Sequence, residues 1–384
     1  MSKKRVLVWE TLSTVSGGQK MTLQVLDMLK ESCDFFCLIP GKGKLSDELD
    51  RRNIPYAFMG DQSMPAGIKG KQVIFRYVWL SLKNITRSLI RIARYNPDVL
   101  YAPGPAALPW SAICGMITGK AVIWHLHHVF LDGSTKKLLN VCARWKSVKK
   151  IIAVSKCVGE QINHSAAGRK SVILYNPVDA KKYASGNGDS FRRSLEGIFD
   201  LPRDEGMHRR IVIGHVALIQ KTKRQDFVLD VVANLRNKGY DAIGVFPGEV
   251  READYYDALK AKAINLGIDK EVLFLGRRND IPDILKAIDI LMIPSSFEGF
   301  PLAGLEAAAA GVPVVACNVA GAAEFVEVSG NGEVFSENSL EQACNAVLEV
   351  YENRDKYRQQ SLSFAQSCSL ETYATKIVQA FKSI

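Results

Sequence analysis

No two cysteines in this sequence form a CxxC pair, and no group of cysteines has metal-ligand spacing. The eight that occur, at 33, 37, 114, 142, 157, 317, 344 and 368, therefore read as reduced, mostly buried thiols of a cytosolic protein. Neither a disulfide frame nor a structural zinc site is expected. No apolar run approaches the roughly 20 residues that span a bilayer. MSKKRVLVWE passes from a short basic tip straight into a strand, without the apolar segment of a signal peptide. A complete GxGxxG is missing, and nothing resembles a nucleic-acid-binding module. Acidic residues are absent from Gln62 to Pro97, a stretch that carries Lys69, Lys71, Arg76, Lys83, Arg87, Arg91 and Arg94.

What remains is an ordinary globular composition, 47% hydrophobic and 23% charged, over 384 residues, enough for two domains. The net charge of +10 is unevenly spread. Up to Val178 there are 26 Lys and Arg against 11 Asp and Glu, and beyond it 24 against 29. A basic first half joined to a mildly acidic second half implies that the first half meets an anionic surface.

The chain opens with the strand Arg5 to Glu10, the loop TLSTVSGGQ and a helix expected from about Lys20 to Lys30. Strand, glycine loop and helix in that order form a phosphate-binding turn of α/β proteins, in which Gly17 and Gly18 let the backbone approach a ligand; a plain tight turn has the same residues. In the acid-free stretch, Ile74, Phe75, Val78, Trp79, Leu82, Ile85, Leu89 and Ile92 recur at helical intervals between the cations. Such a helix can lie on an anionic membrane, or can bury its apolar stripe in a domain core. AVIWHLHH (Ala121 to His128) reads as a strand that brings His125 and His127 to one face near its carboxyl end. No carboxylate is spaced to make a metal site of these histidines, and the expectation is an active-site hydrogen-bonding residue. YNPVD followed by ASGNGD marks a domain boundary, with domains at 1–178 and 179–366. The second half starts again at Arg209 to Ala217, and Lys223 in the loop after that strand would face the ligand end of a second doubly wound sheet.

Ser295 to Cys317, SSFEGFPLAGLEAAAAGVPVVAC, is the most informative stretch. A helix beginning between Gly299 and Gly304 would offer its free amides and dipole to an anion. Glu298 would stand at the mouth of that site and Glu306 about two turns along the helix. Gly311 and Pro313 would stop the helix before the strand VPVVA. Two carboxylates so placed can bind the hydroxyls of a ligand whose phosphates sit at the helix start.

These residues resemble a known family. SFEGFPLAGLEAAAAGVPVVA, with SGGQ, His127, YNPVD, KTKRQD and FLGRRNDIPDILKAIDILMIPSSFEGF in the same order, is similar to the retaining glycosyltransferases of family four. The resemblance implies a GT-B fold: two Rossmann-like, doubly wound α/β domains facing across a cleft, with a C-terminal helix (367–384) returning to the first. It implies transfer of a sugar from a nucleotide-sugar donor, by family frequency a UDP-sugar, to a glycan or lipid-linked acceptor in cell-surface polysaccharide synthesis. No cofactor and no metal are implied, and no DxD is present.

Carried over by position, Glu306 would bind the ribose, Glu298 would lie by the donor sugar, and Gly299, Phe300, Pro301 and Leu302 would meet sugar and phosphate. Lys223 would hold the diphosphate, Gly17 and Gly18 would approach the phosphates, and His127, with His125 as the alternative register, would stand beside the sugar. The catalytic set is His127, Lys223 and Glu298. Arg76, Lys83 and Arg87 are the candidates for acceptor or peripheral membrane contact on the cytoplasmic face. One position departs: the arginine five residues before the family's lysine is Leu218 here, leaving Lys221 or Arg224 to supply the missing cation. Two rival readings keep the fold, a sugar-nucleotide epimerase or hydrolase and a non-catalytic subunit.

Overall fold

The computed structural model describes residues 3–60, 71–162, 168–198 and 210–384. It separates into two compact units, Met1–Asn176 with Glu371–Ile384, and Pro177–Leu370.

In the first unit the order is β1 (Lys4–Trp9), α1 (Gly17–Leu29), β2 (Cys33–Ile39), α2 (Lys44–Arg51), β3 (Tyr56–Phe58) and α3 (Lys71–Tyr95). Then come β4 (Val99–Ala102), α4 (Leu108–Thr118), β5 (Ala121–Leu126), α5 (Gly133–Ala143), β6 (Val148–Ala153), α6 (Lys156–Gly159) and β7 (Ser171–Ile173). The second unit starts with α7 (Ala180–Ala184), α8 (Gly188–Ile198), β8 (Ile211–Gly214), α9 (Gln225–Asn237), β9 (Ala242–Pro247), α10 (Ala253–Asn265) and β10 (Val272–Gly276). It continues through α11 (Ile281–Ala287), β11 (Ile290–Ile293), α12 (Leu302–Ala310), β12 (Val314–Cys317), α13 (Ala320–Ser329) and β13 (Gly332–Phe335). Three helices close the chain, α14 (Leu340–Glu352), α15 (Arg354–Ser367) and α16 (Leu370–Lys382).

Both sheets are parallel throughout, ordered β3-β2-β1-β4-β5-β6-β7 and β10-β9-β8-β11-β12-β13. Parallel pairing needs a crossover between successive strands and buries both faces. This is why strands such as VVAC and ILMI are wholly apolar and wholly buried. Trp9, Trp110 and Trp124 fill the core of the first unit. Helix α16 packs there as well. Lys4 donates to the carbonyls of Phe381 and Ile384 at 3.1 and 3.0 Å, and Phe381 meets the Tyr101 ring edge-on.

Several boundaries differ from the sequence reading. Helix α1 begins three residues earlier than expected, so Gly17 and Gly18 form its first turn instead of a separate loop. Strand β5 ends at Leu126, leaving His127 and His128 just beyond it. Between Leu340 and Ser367 the chain forms two helices, α14 and α15, which break at Asn353 although no proline or glycine marks the break.

Helix α3 departs from the usual amphipathic arrangement. Its inward face carries Asn84, Ser88 and Ile92, each 2% exposed or less. Ser88 turns inward because it accepts from the indole of Trp9 at 3.0 Å, satisfying a buried donor. Phe75, Val78, Trp79 and Leu82, at i, i+3, i+4 and i+7, are therefore on the outside, Phe75 at 77% exposure. Of the basic residues expected here, Lys69 lies outside the described residues, as do the side chains of Lys71 and Ile74.

Candidate functional site

Each sheet reverses its strand order once, between β1 and β4 and between β8 and β11. The carboxyl ends of strands flanking such a reversal are where open α/β sheets bind ligands. In the second unit the loops leaving β8 and β11 are tied together there, Ser296 N–H donating to the Thr222 carbonyl at 3.0 Å. Lys223 on one loop and Glu298 on the other form an ion pair, Nζ to Oε1 2.5 Å, both partly buried.

Helix α12 starts at Leu302 behind Pro301, close after Glu298, and its first amides lack intrahelical acceptors. Pro301 and Phe300 are buried, and Phe300 rests on Phe325. Gly299 lies in the loop, and Leu302 is partly exposed at the helix start. The run Ala307–Ala310 is buried against its neighbours, because small side chains let α12 approach α15 and α7 closely. Gly311 then takes a left-handed φ of 77° that a β-carbon would disfavour, and ends the helix as expected. Helix α12 starts at Leu302, within the expected Gly299–Gly304 window, so Glu298 precedes the helix as expected and Glu306 stands about one turn inside it.

Three residues of this region were not singled out from the sequence. Gly321, near the start of α13, donates its N–H to the Glu298 carbonyl at 3.1 Å, and a β-carbon there would fall 2.0 Å from the Gly299 carbonyl oxygen. Only glycine lets α13 support the Glu298 loop. Tyr183 of α7 is 8% exposed, and burial together with the nearby Glu306 carboxylate pushes its hydroxyl well up. His215 follows β8, and its Nδ1 bonds the Met292 carbonyl at 2.8 Å while Nε2 is buried without a partner. A single histidine after an apolar strand gives no signal of this, because burial is decided by the neighbouring strand.

Arg224 bonds Asp226 and Asn338 and lies over the Phe227 ring, so its guanidinium is already engaged. Lys221 is exposed.

In the first unit, Glu10 at the end of β1 is buried, and burial raises its carboxyl above the usual range. It accepts from Gln19 at 2.9 Å and from Thr22, and so fixes the first turn of α1 with Gly17 and Gly18. The ring of His128 lies 3.9 Å from where a β-carbon of Gly18 would be, so the glycine turn and the histidine segment meet. His125 is wholly buried, its Nδ1 2.6 Å from the Tyr101 hydroxyl. His127 is partly exposed as a residue, its ring 4.0 Å from that of His125, while its Nε2 is buried and unpartnered. Among the described residues no three His, Cys, Asp or Glu side chains are placed to hold a metal ion.

Burial pushes His215 down to about 4 and His125 to about 3, from an ordinary 6.5. Both are neutral at pH 7. Because their folded values lie below the unfolded one, the unfolded chain takes up protons first. The stability they permit is complete above pH 6.5 and is lost as pH falls toward 4. The melting temperature should therefore drop over that interval, by up to about 1.4 kcal/mol of stability per pH unit per histidine. His215→Asn should show a shallower drop; an unchanged slope would place the loss elsewhere.

The sequence matches two family models. Residues 17–182 match Glycosyltransferase Family 4 and residues 200–363 match Glycosyl transferases group 1. The chain belongs to glycosyltransferase family four. Helped by that, the two parallel sheets are recognised as the two Rossmann-like halves of a GT-B transferase. Over 375 residues the transferase is 24% identical to the Escherichia coli UDP-Gal:alpha-D-GlcNAc-diphosphoundecaprenol alpha-1,3-galactosyltransferase, covering 92% of this chain and 89% of the relative. It is 23% identical to N-acetyl-alpha-D-glucosaminyl L-malate synthase of Bacillus anthracis, covering 81% and 80%. In fold, the transferase is similar to Anabaena HepE in complex with UDP, with a TM-score of 0.80 at 21% identity over 99% of this chain and 100% of the other.

Proposed function

We propose that this transferase moves a sugar from a UDP-sugar held by the second unit to a lipid-linked acceptor held by the first, with retained anomeric configuration. The observation that carries the reading is the pairing of Lys223 with Glu298 at the switch point of the second sheet, beside the start of α12. The bond from the anomeric carbon to the diphosphate breaks and a bond to the acceptor's hydroxyl oxygen forms, that hydroxyl's O–H bond breaking as its proton passes to a departing phosphate oxygen, while negative charge builds on the departing diphosphate. Lys223 and the first amides of α12 stabilise that charge, usually the largest catalytic effect in such sites. The proposal needs no metal. Glu306, steadied by Tyr183, takes the ribose hydroxyls, and Glu298 the donor sugar. His127 is assigned to the sugar in preference to His125, whose ring is sealed in the core and occupied by Tyr101.

The uridine base is supported by the UDP complex of HepE, and the lipid-diphosphate acceptor by the printed substrate of the Escherichia coli relative. No helix among the described residues is long and apolar enough to cross a membrane. The outward stripe Phe75, Val78, Trp79 and Leu82, flanked by Arg76 and Lys83, instead supports a peripheral seat on an anionic bilayer, at the inner face of the cell membrane.

The test is a melting-temperature screen of UDP and UDP-sugars, followed by transfer assays with sugar-diphosphate lipids. A bound nucleotide at about 100 times its Kd adds roughly 2.7 kcal/mol of stability, so UDP should raise the melting temperature by several degrees. No shift with any nucleotide would sink the reading. Donor turnover without acceptor would favour a hydrolase, and binding without turnover a non-catalytic subunit.

A further inference from the structure

The first unit has a second concave feature, at the edge of its sheet. The carboxyl ends of β2 and β3 and the last turns of α3 enclose a groove of about 590 Å³. Arg87, Arg91 and Arg94 line one wall, and no carboxylate lines it among the described residues. Spaced i, i+4 and i+7, the three guanidiniums share one side of the helix. None of them makes a salt bridge to a described acidic residue, although elsewhere arginines such as Arg192, Arg210 and Arg236 pair with aspartates. Arg87 donates to the Met59 carbonyl. Gly60, at a φ of 88°, leaves the room it needs, since a β-carbon there would lie 3.1 Å from the guanidinium. The remaining lining is apolar, chiefly Phe58, Met59 and Ile90.

Three like charges in one concavity repel each other, and an anion relieves that repulsion. Planar guanidiniums suit phosphate oxygens bidentately. A volume of this size accommodates a small ligand, and the apolar lining suits the first carbons of an attached chain. We propose that this groove is the subsite for the diphosphate group of a lipid-linked acceptor. The assignment rests on the acceptor class given under the proposed function.

The test uses the full-length protein with saturating UDP, so that the donor's own phosphate site is filled. Inorganic pyrophosphate and farnesyl diphosphate are titrated calorimetrically into wild type, Arg91→Gln and Arg94→Gln. Each substitution should weaken both probes about tenfold and leave UDP affinity, measured alone, unchanged. Unchanged affinity for both probes in both variants would overturn the groove assignment. Weakening for pyrophosphate alone would overturn the lipid-linked part. A loss seen only with anionic phospholipid vesicles would make the groove a membrane contact and also overturn it. If UDP fails to bind wild type, the donor reading fails by itself, while farnesyl diphosphate still reports on the groove.

Discussion

Lys223→Ala should lower sugar transfer about 10²–10³-fold, the usual loss when one preorganised charge partner of a transition state is removed. Its Nζ stands 2.5 Å from Glu298 on loops anchored at the ends of β8 and β11. Under the proposed mechanism the substitution removes positive charge where the departing diphosphate would gather negative charge, and it takes from the partly buried Glu298 carboxylate its ion-pair partner. With Leu218 at the position of the family's usual arginine, and Arg224 bound to Asp226 and Asn338, there is little local charge to compensate. The loss should fall on kcat more than on acceptor KM. Stopped-assay kinetics check the rate, and circular dichroism checks that the variant remains folded, as expected for a loop substitution away from the sheet cores. Activity within threefold of wild type would remove Lys223 from the phosphate site.

The second large effect concerns α3. Phe75→Glu with Trp79→Glu should abolish sedimentation with anionic liposomes at low salt. Each aromatic taken from bilayer to water costs about 1.5–3 kcal/mol, so the pair should weaken partitioning by roughly 10² to 10⁴. Both residues point outward, with exposures of 77% and 55%, and the fold should tolerate the change. Transfer to a water-soluble acceptor should be unaffected. If wild type itself ignores anionic liposomes, the membrane seat is wrong.

Much of this arrangement was legible in the sequence. The second sheet's strands and the end of α12 follow from apolar runs, Gly311 and Pro313, and the Ser295–Cys317 stretch led directly to Glu298 and Glu306. The orientation of α3 was not legible. Its apolar and polar faces could each have turned inward, and the face that does carries Ser88, whose partner Trp9 lies far away in sequence. Tyr183, Gly321 and His215 were invisible for a similar reason. Tyr183 and Gly321 matter through residues far away in sequence, Glu306 and the Glu298–Gly299 backbone, and His215 through Met292. The break at Asn353 carries no local stop signal. The short β13 went unread because its four residues include a charged Glu333 and a half-open burial pattern.

The outward stripe of α3 also bears on how activity should be counted. An enzyme resting on a bilayer by one helix meets a lipid-anchored acceptor by lateral travel within a sheet of lipid, and not by collision through a volume. Its acceptor dependence would then follow the mole fraction of acceptor in the membrane, and diluting the vesicles with inert lipid would slow the reaction at constant total acceptor. Detergent micelles would hide this behaviour by carrying enzyme and acceptor apart.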